Sequence, residues 1–366
     1  MNPHLWVTLS GHGFGHLAQT APILNRLRED LPGLRLTLQS ALPATVLRQR
    51  IMGTFEHVPE SVDVGMLMAD ALDVQIPQSL AAYRQFHAEW ARRLARQEAL
   101  LDRFRPDLLL ANVPYLPLAA AANVAIPAVA LCSLHWADIV PAYFPATPEL
   151  ADWRWRMLES YRQAAVFLRP APSMPMPDLS NTRAIGPIAL RGRRRRAEIN
   201  QRLGLSGDET VVLVALGGID NPLPVADWSI LPGVRWLAPG TGHSERGNAL
   251  DWSRVADLPF IELLESCDVI LTKPGYGSFT EAACAGKPVL YVERNDWPEQ
   301  SYLVDWLSEY GRCLCIEREA LKTGDLAGPL DTLLNQPSKP PPRLTGLDAA
   351  VECLLAYLSG RSATSR

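Results

Sequence analysis

Short runs of apolar residues alternate with longer amphipathic stretches along the first half of the chain. Each run is short and bounded by glycine, proline or polar residues, which is typical of strands that are covered on both faces. The predicted strands are Leu5 to Leu9, Arg35 to Gln39, Leu108 to Ala111 and Ala128 to Leu131. Helices are predicted between them, including one long helix from Ser79 to Phe104. This alternation indicates an α/β fold with a parallel, doubly wound sheet.

The second half of the chain repeats the alternation after a proline-rich passage from Arg169 to Asp178. Its predicted strands are Thr210 to Leu216, Val234 to Leu237, Val269 to Leu271 and Val289 to Val292. We therefore predict two doubly wound domains, residues 1–187 and residues 188–343. Residues 344–366 are predicted to form a closing helix and tail that packs back on the first domain.

The stretch from Asp268 to Gln300 combines a predicted strand, a glycine-containing loop and a helix predicted over Phe279 to Ala285. Free backbone N–H groups and the positive end of the helix dipole favour an anion at such a helix start, and Lys273 lies in the loop before it. The sequence therefore predicts an anion site here. An alternative interpretation is purely structural, because Ser278 and Glu281 fit the S-x-x-E pattern of a capping box.

A second glycine-rich loop follows the first predicted strand and has the sequence Gly11-His12-Gly13-Phe14-Gly15-His16. It lacks the glycine spacing of a dinucleotide fingerprint and the Gly-Lys-Ser/Thr of a nucleoside triphosphate loop, so neither NAD nor ATP is a predicted ligand. Two further segments end predicted strands, where α/β proteins place their ligands. They are Cys132 to Asp138 and the pair Gly217 and Gly218.

Composition narrows the classes of function. The 366 residues include 48% hydrophobic and 20% charged side chains and carry a net charge of −4, which predicts an ordinary globular protein without an overall attraction to nucleic acid. The sequence shows neither a signal-like segment nor a membrane-spanning run, so a cytoplasmic location is the default expectation, and peripheral membrane association stays open. The six cysteines form no C-x-x-C pair, and we expect reduced core residues and no metal site. Oligomeric state is not specified.

Taken in order, these segments resemble the GT-B glycosyltransferases over nearly the whole chain. Within that superfamily the chain resembles first the glycosyltransferase-like domain of L-arabinokinase-type proteins, and more distantly the family 28 and family 1 sugar transferases. The segments that carry the resemblance are Gly11 to His16, Cys132 and Ser133 with Trp136 and Asp138, Gly217 and Gly218, Lys273 to Glu281, and Asp296 to Gln300. The resemblance implies two Rossmann-like domains that face each other across a cleft. It implies a nucleotide sugar bound by the second domain, a small-molecule or glycan acceptor bound by the first, and no further cofactor.

Position by position, the resemblance assigns residues to parts of the donor. The diphosphate is assigned to Lys273, Gly275, Gly277 and Ser278. Further predicted substrate or donor contacts are Tyr276, Gly13, Gly15, Gly217 and Gly218. Glu281 is assigned to the ribose hydroxyls. Glu299 and Gln300 are assigned to the donor sugar, and this chain carries two extra residues before that pair relative to family 1. The nucleobase is expected against Val255 and Ala256.

Inverting transfer requires a base that takes the proton of the acceptor hydroxyl as it attacks the anomeric carbon. A histidine suits this task because its pKa lies near neutrality, and His16 matches the base position of the family. The alternative is a histidine that only caps or packs a helix start. His12 is the rival base, or a donor to the sugar or phosphate. A base also needs an orienting carboxylate, for which Asp138 is the first candidate, with Asp70 and Asp73 behind it.

His135 and Trp136 are predicted to line the acceptor cleft, or to pack as part of an aromatic loop. The function predicted from the resemblance is an inverting, metal-independent glycosyltransferase with a UDP-linked donor. Two alternatives stay open. One is a non-catalytic nucleotide-sugar-binding or regulatory module, and the other is a sugar-nucleotide epimerase that shares the fold.

Overall fold

Two parallel β-sheets surrounded by helices make up the computed structural model of the protein, which describes residues 2–217, 223–241, 247–294 and 296–360. The first half contains β1 (His4–Leu9), α1 (Gly15–Asp30), β2 (Arg35–Gln39), α2 (Ala44–Arg50), β3 (Glu56–Val58), α3 (Ile76–Ala88), α4 (Trp90–Phe104), β4 (Leu108–Asn112), α5 (Leu116–Asn123), β5 (Ala128–Leu131), α6 (Trp136–Tyr143), α7 (Leu150–Arg162), β6 (Val166–Pro170) and β7 (Thr182–Ile185). Its strands pair in parallel in the order β3-β2-β1-β4-β5-β6-β7.

The second half follows the same plan. It contains α8 (Arg196–Leu203), β8 (Thr210–Val214), β9 (Val234–Ala238), β10 (Ala249–Asp251), α9 (Phe260–Ser266), β11 (Val269–Thr272), α10 (Tyr276–Cys284), β12 (Val289–Val292), α11 (Gln300–Tyr310), β13 (Cys313–Ile316), α12 (Arg318–Thr323), α13 (Ala327–Leu334) and α14 (Thr345–Leu358). Its strands pair in parallel in the order β10-β9-β8-β11-β12-β13. Each sheet thus has the strand order of a doubly wound nucleotide-binding fold, as the sequence predicted.

Both faces of each sheet are buried. In β1, Leu5 and Val7 join one apolar cluster of the first sheet, whereas Trp6 joins the cluster on the opposite face. Because alternate side chains of a strand point to opposite faces, a fully apolar run is what a sheet covered by helices on both sides requires. This burial explains why the short apolar runs could be recognised as strands.

Two local predictions were wrong. The long helix predicted from Ser79 to Phe104 is divided into α3 and α4 at Glu89, whose φ of −91° and ψ of 9° leave the helical region. The helix of the anion site begins at Tyr276 with Gly275 as its N-cap, so Ser278 lies inside the first turn. The capping box that would have begun at Ser278 therefore does not form.

The two halves of the chain also contact each other away from the covalent link between them, through a loop and a helix. The loop between β3 and α3, residues 59–75, extends from the first sheet and buries Ala71 and Leu72 in an apolar cluster of the second. The closing helix α14 returns to the first sheet, where Ala350 and Leu354 are part of its core. Within the described ranges, none of the helices combines the length and apolar composition that a membrane span needs.

Candidate active site

The candidate site lies at the carboxyl ends of two neighbouring strands from each sheet. In each sheet the chain direction of the crossovers reverses between two central strands, β1 and β4 in the first sheet and β8 and β11 in the second. Doubly wound proteins bind ligands at this switch point, beyond the carboxyl ends of the strands. The pairing of Leu9 with Asn112 in the β1 and β4 register sets the last residue of β4 beside the glycine loop.

His16 lies at the start of α1 and is held by Asn112, which the sequence prediction had missed. Nδ1 of His16 is 2.9 Å from Oδ1 of Asn112, and His16 is only 6% exposed. The amide nitrogen of Asn112 donates to Oε1 of Gln19 at 3.0 Å and to Oγ1 of Thr20 at 2.9 Å. Asn112 therefore has both ends of its amide engaged on α1.

A row of hydrogen bonds that reaches the second sheet fixes the orientation of these amides. The hydroxyl of Ser133 donates to Oε1 of Glu299 at 2.6 Å. Ser133 can then accept from Nε2 of Gln19 at 2.8 Å, which turns Oε1 of Gln19 towards the amide nitrogen of Asn112. The carbonyl oxygen of Asn112 consequently faces His16.

This orientation determines the tautomer of His16. Since Oδ1 of Asn112 can only accept, Nδ1 of His16 carries the proton and Nε2 has a free lone pair. Burial lowers the pKa of His16 to about 4, so the imidazole is neutral at pH 7. His16 is thus held in the form that can accept a proton through Nε2.

His12 is held in the opposite tautomer. Its Nδ1 accepts a hydrogen bond from the backbone N–H of Met66 at 3.3 Å, which leaves the proton of the neutral ring on Nε2. The ring stacks on Trp297 with centroids 5.3 Å apart and planes inclined by 12°. Burial, together with the charges of His16, Arg294 and Lys273, lowers the pKa of His12 to about 3. His12 therefore offers a hydrogen-bond donor and is the weaker candidate for the base.

The carboxylates predicted to orient the base lie elsewhere. Oδ2 of Asp138 is 3.3 Å from Nε2 of His135 without forming a hydrogen bond, and burial raises the pKa of Asp138 to about 6. Asp70 accepts from backbone N–H groups of its own loop, and Asp73 forms an ion pair with Arg318 at 2.9 Å. The prediction that one of them orients His16 is corrected, because Asn112 occupies that position.

The aromatic residues predicted for the acceptor cleft divide into two environments. His135 is fully buried, 5.3 Å from the ring of Tyr161, and this packing agrees with the aromatic-loop interpretation. The ring of Trp136 lies 5.5 Å from that of His12 and 6.1 Å from that of His16. Trp136 therefore forms the wall behind both glycine-loop histidines.

A buried carboxylate that the sequence prediction missed supports this wall. Nε1 of Trp136 donates to Oδ2 of Asp63 at 2.9 Å, and Asp63 is itself buried. Burial raises the pKa of Asp63 to about 6, against the hydrogen bonds from Ser10 and Trp136 that lower it. Asp63 lies on the loop of residues 59–75, which reaches the second sheet. Its hydrogen bonds therefore connect this loop to Trp136 and to Ser10, the residue before the glycine loop.

The start of α10 has the features expected of an anion site. Gly275 is its N-cap and has no side chain, so the first N–H groups of the helix have no intrahelical acceptor. A Cβ atom placed on Gly217, where φ is +96°, would lie 3.5 Å from Cε of Lys273. Burial, together with the charge of Arg294, lowers the pKa of Lys273 to about 7. Gly218 lies outside the described residues.

Glu281, which the resemblance assigns to the ribose, is covered from across the cleft. It is 2% exposed, and Oε1 is 3.4 Å from Nη1 of Arg50 at the end of α2. Burial raises the pKa of Glu281, whereas Arg50 lowers it. The nearby Gly277 allows α10 to approach α1, because a Cβ atom there would lie 2.8 Å from Cβ of Ala18. Arg50 must therefore share or release this carboxylate if ribose is to reach it.

The remaining predicted donor residues are largely held by other parts of the protein. Glu299 accepts from Ser133 and from Nε1 of Trp297, and Oε1 of Gln300 accepts from the backbone N–H of Arg294 at 2.7 Å. The hydroxyl of Tyr276 donates to the carbonyl of Ala171 at 3.1 Å and accepts from the N–H of Ile188 at 3.0 Å. Val255 is buried and Ala256 exposed, while Gly13 has a φ of +72° and Gly15 begins α1.

No family model matches the chain. Among solved structures, the spinosyn forosaminyltransferase SpnP aligns with a TM-score of 0.62 at 17% identity, over 98% of this chain and 95% of that protein. The chain has the GT-B fold. A UDP-N-acetylglucosamine 2-epimerase shares the same architecture, with a TM-score of 0.58 and 14% identity over 100% of this chain and 99% of that protein.

A curated relative matches part of its own length. L-arabinokinase from Arabidopsis thaliana is 25% identical over 309 residues, which is 82% of this chain and 29% of that protein. The chain thus spans less than a third of the arabinokinase. Within the GT-B fold, the first sheet presents the histidine loop and the second presents the start of α10 to the same cleft.

Proposed function

We propose that the protein is an inverting, metal-independent glycosyltransferase that moves a sugar from a UDP-linked donor to a hydroxyl acceptor. The observation that carries the proposal is the tautomer of His16. Its Nδ1–H is bound by Asn112, and its Nε2 is a free acceptor at the switch point of the first sheet.

In this proposal His16 is the base. A neutral imidazole accepts the proton of the acceptor hydroxyl through Nε2, while Asn112 keeps the ring oriented and accepts from Nδ1–H throughout. The low pKa of His16, about 4, means that the base form is present at every pH near neutrality. The nearby donor proton on Nε2 of His12 would hydrogen-bond a substrate oxygen.

The start of α10 would stabilise the leaving diphosphate. Charge grows on the bridging oxygen as the glycosidic bond breaks, and fixed N–H groups with an adjacent cation stabilise such charge without reorganisation. Lys273 lies beside Gly217 in this position, and its buried amine would become fully protonated beside a phosphate. We propose no cofactor apart from the nucleotide sugar itself.

The test begins with a panel of UDP, dTDP and GDP sugars, each titrated while the melting temperature is followed. A ligand of the folded protein raises the melting temperature, by an amount that grows with its concentration over Kd. Donor hydrolysis and transfer are then compared in wild type, His16→Ala and His12→Ala. We expect His16→Ala to keep binding and to lose turnover by about 10²-fold or more, as for a lost general base. A protein that responds to no nucleotide or nucleotide sugar contradicts the proposal.

A second candidate is a nucleotide-sugar-binding module without turnover. The observation in its favour is that an amide, and not a carboxylate, faces Nδ1 of His16, so the imidazolium formed by proton transfer lacks an opposite charge. Binding without turnover, in the presence of a broad set of acceptors, would support this candidate. Interconversion of donor sugars without any acceptor would instead support an epimerase.

A further inference from the structure

Arg294 is a buried cation in the cleft whose role the sequence prediction did not address. It follows β12 and is 4% exposed. The guanidinium lies over the ring of Trp297, with Cζ 4.0 Å from the ring centroid. Nη2 is 3.8 Å from the sulfur of Met68, and Nε is buried without a hydrogen-bond partner. One face of the guanidinium is thus stacked, but its donors are poorly used.

The charges of Glu299, Asp296 and Asp73 act on Arg294 without forming an ion pair with it, and two of these carboxylates are engaged with other groups. Glu299 accepts from Ser133 through one oxygen and from Trp297 through the other. Asp73, on the loop of residues 59–75, pairs with Arg318. In the described part of the chain, Arg294 forms no ion pair with a carboxylate. Burying a guanidinium without an ion pair is costly, and an anionic ligand that accepted from its free donors would offset that cost.

Lys273 is a second cation at the neighbouring strand end. It follows β11 as Arg294 follows β12, and the parallel register of these two strands pairs Thr272 with Tyr291. In agreement with this placement, the charges of both cations lower the pKa of His12. Lys273 likewise has no carboxylate partner among the described residues. Together with the start of α10, the two side chains concentrate positive charge next to His12.

We propose that Arg294 and Lys273 form a two-cation site that binds anionic oxygen atoms of the substrate, with Trp297 holding the guanidinium plane. The inference rests on the proposed function, in which the donor occupies the same cleft. Two parts of a donor could supply this chemistry, namely the β-phosphate of the nucleotide and a carboxylate on the transferred sugar. The planar fork of Arg294 suits either group, because both accept two parallel hydrogen bonds.

Calorimetric titrations of wild type, Arg294→Gln and Arg294→Met with UDP, UMP, UDP-glucose and UDP-glucuronate test the site. Arg312→Gln, on the exterior of the second domain, is the matched control. We expect the Arg294 variants to weaken an anion contact by about tenfold or more, as for a lost charge-assisted hydrogen bond. Loss of UDP binding with UMP unchanged identifies the β-phosphate. Loss of a wild-type preference for UDP-glucuronate over UDP-glucose identifies the sugar carboxylate.

The stability of the unliganded variants separates binding from a structural role. We expect an unchanged or higher melting temperature in Arg294→Met, which keeps apolar contact with Trp297 and removes an unpaired charge. A marked fall in melting temperature, or four affinities that match those of Arg312→Gln, overturns the inference. Inorganic pyrophosphate is titrated in parallel. If wild type binds pyrophosphate through Arg294 but no nucleotide, the proposed function fails and the site stands, whereas binding of neither overturns both.

Discussion

Replacing Asn112 with aspartate tests the assignment of His16 as the base. The substitution sets a carboxylate against Nδ1–H, at the 2.9 Å distance that the amide oxygen now occupies. A hydrogen bond to a charged group is worth about 1.5–3 kcal/mol. Since one pKa unit corresponds to about 1.4 kcal/mol, the pKa of His16 should rise by about 1–2 units from its value of about 4.

The pH dependence of turnover reports this change. A base works in its neutral form, so kcat/KM falls as the pH drops through the pKa of the free enzyme. We expect the acidic limb of wild type near pH 4 and that of Asn112→Asp near pH 5–6, with equal or faster turnover at pH 7 because the base is stronger. Stability should fall by about 1–3 kcal/mol, because Oε1 of Gln19 loses its donor.

Asn112→Ala is the control for the loss of orientation. It removes the hydrogen bond to Nδ1, which raises the pKa of His16, without adding a charge, so turnover should fall while the acidic limb lies at or below the pH of the wild-type limb. The assay is donor hydrolysis or transfer between pH 3.5 and 8, with unfolding followed at each pH. Superimposable acidic limbs in wild type and Asn112→Asp would show that His16 is not the base, and the same experiment on His12 would then be required.

Three further substitutions test the surroundings of the site. Gly277→Ala should loosen the contact between α10 and α1, because its Cβ would lie 2.8 Å from a side chain of α1, and we expect the free energy of unfolding in chemical denaturation to fall by about 1–3 kcal/mol. Gly15→Ala is the control, because nothing lies within 4 Å of that position, and its stability should be unchanged. Equal effects of the two substitutions contradict the packing argument. Arg50→Met leaves the buried Glu281 carboxylate without its ion-pair partner, so the free energy of unfolding should fall by about 1–3 kcal/mol in wild type and by much less in a Glu281→Gln background. A double-mutant cycle without coupling would show that the 3.4 Å ion pair between Arg50 and Glu281 does not contribute to stability. Asp63→Asn removes a carboxyl group whose pKa is raised to about 6 by burial. The stability of wild type relative to the variant should therefore be greatest below about pH 4, and it should fall by up to about 3 kcal/mol as the pH rises through 6. A stability difference that does not depend on pH contradicts the burial of that carboxyl group.

The features that sequence analysis predicted are local in the chain. The loop from Gly11 to His16 and the start of α10 each consist of a strand, a glycine-containing loop and a helix, and their chemistry follows from consecutive residues. Even here the first helical residue was misplaced, because Ser278 offered a capping box and Gly275 caps the helix instead. Gly275 is the N-cap residue without a side chain that could accept from the first N–H groups, so it leaves a weaker signal in the sequence than a serine cap would.

The features that were missed depend on contacts between distant parts of the chain. Asn112 meets His16 across 96 residues, and only because β4 pairs with β1. Glu299 meets Ser133 across 166 residues and across the two sheets. No periodic pattern in the sequence signals either contact. A histidine base usually has a carboxylate partner, so the sequence favoured an aspartate for the position that Asn112 occupies. The pairing of β1 with β4 and the packing of the two halves against each other bring these residues together, and neither can be predicted from local propensity.

A structure with a bound nucleotide sugar analogue tests the central claim most directly. The account predicts that the ribose hydroxyls lie within hydrogen-bond distance of Glu281 with Arg50 displaced from its present position, and that Nε2 of His16 faces the anomeric carbon. A nucleotide bound elsewhere, with Glu281 still paired to Arg50, would contradict the donor site. A sugar whose anomeric carbon faces Nε2 of His12 would contradict the assignment of the base.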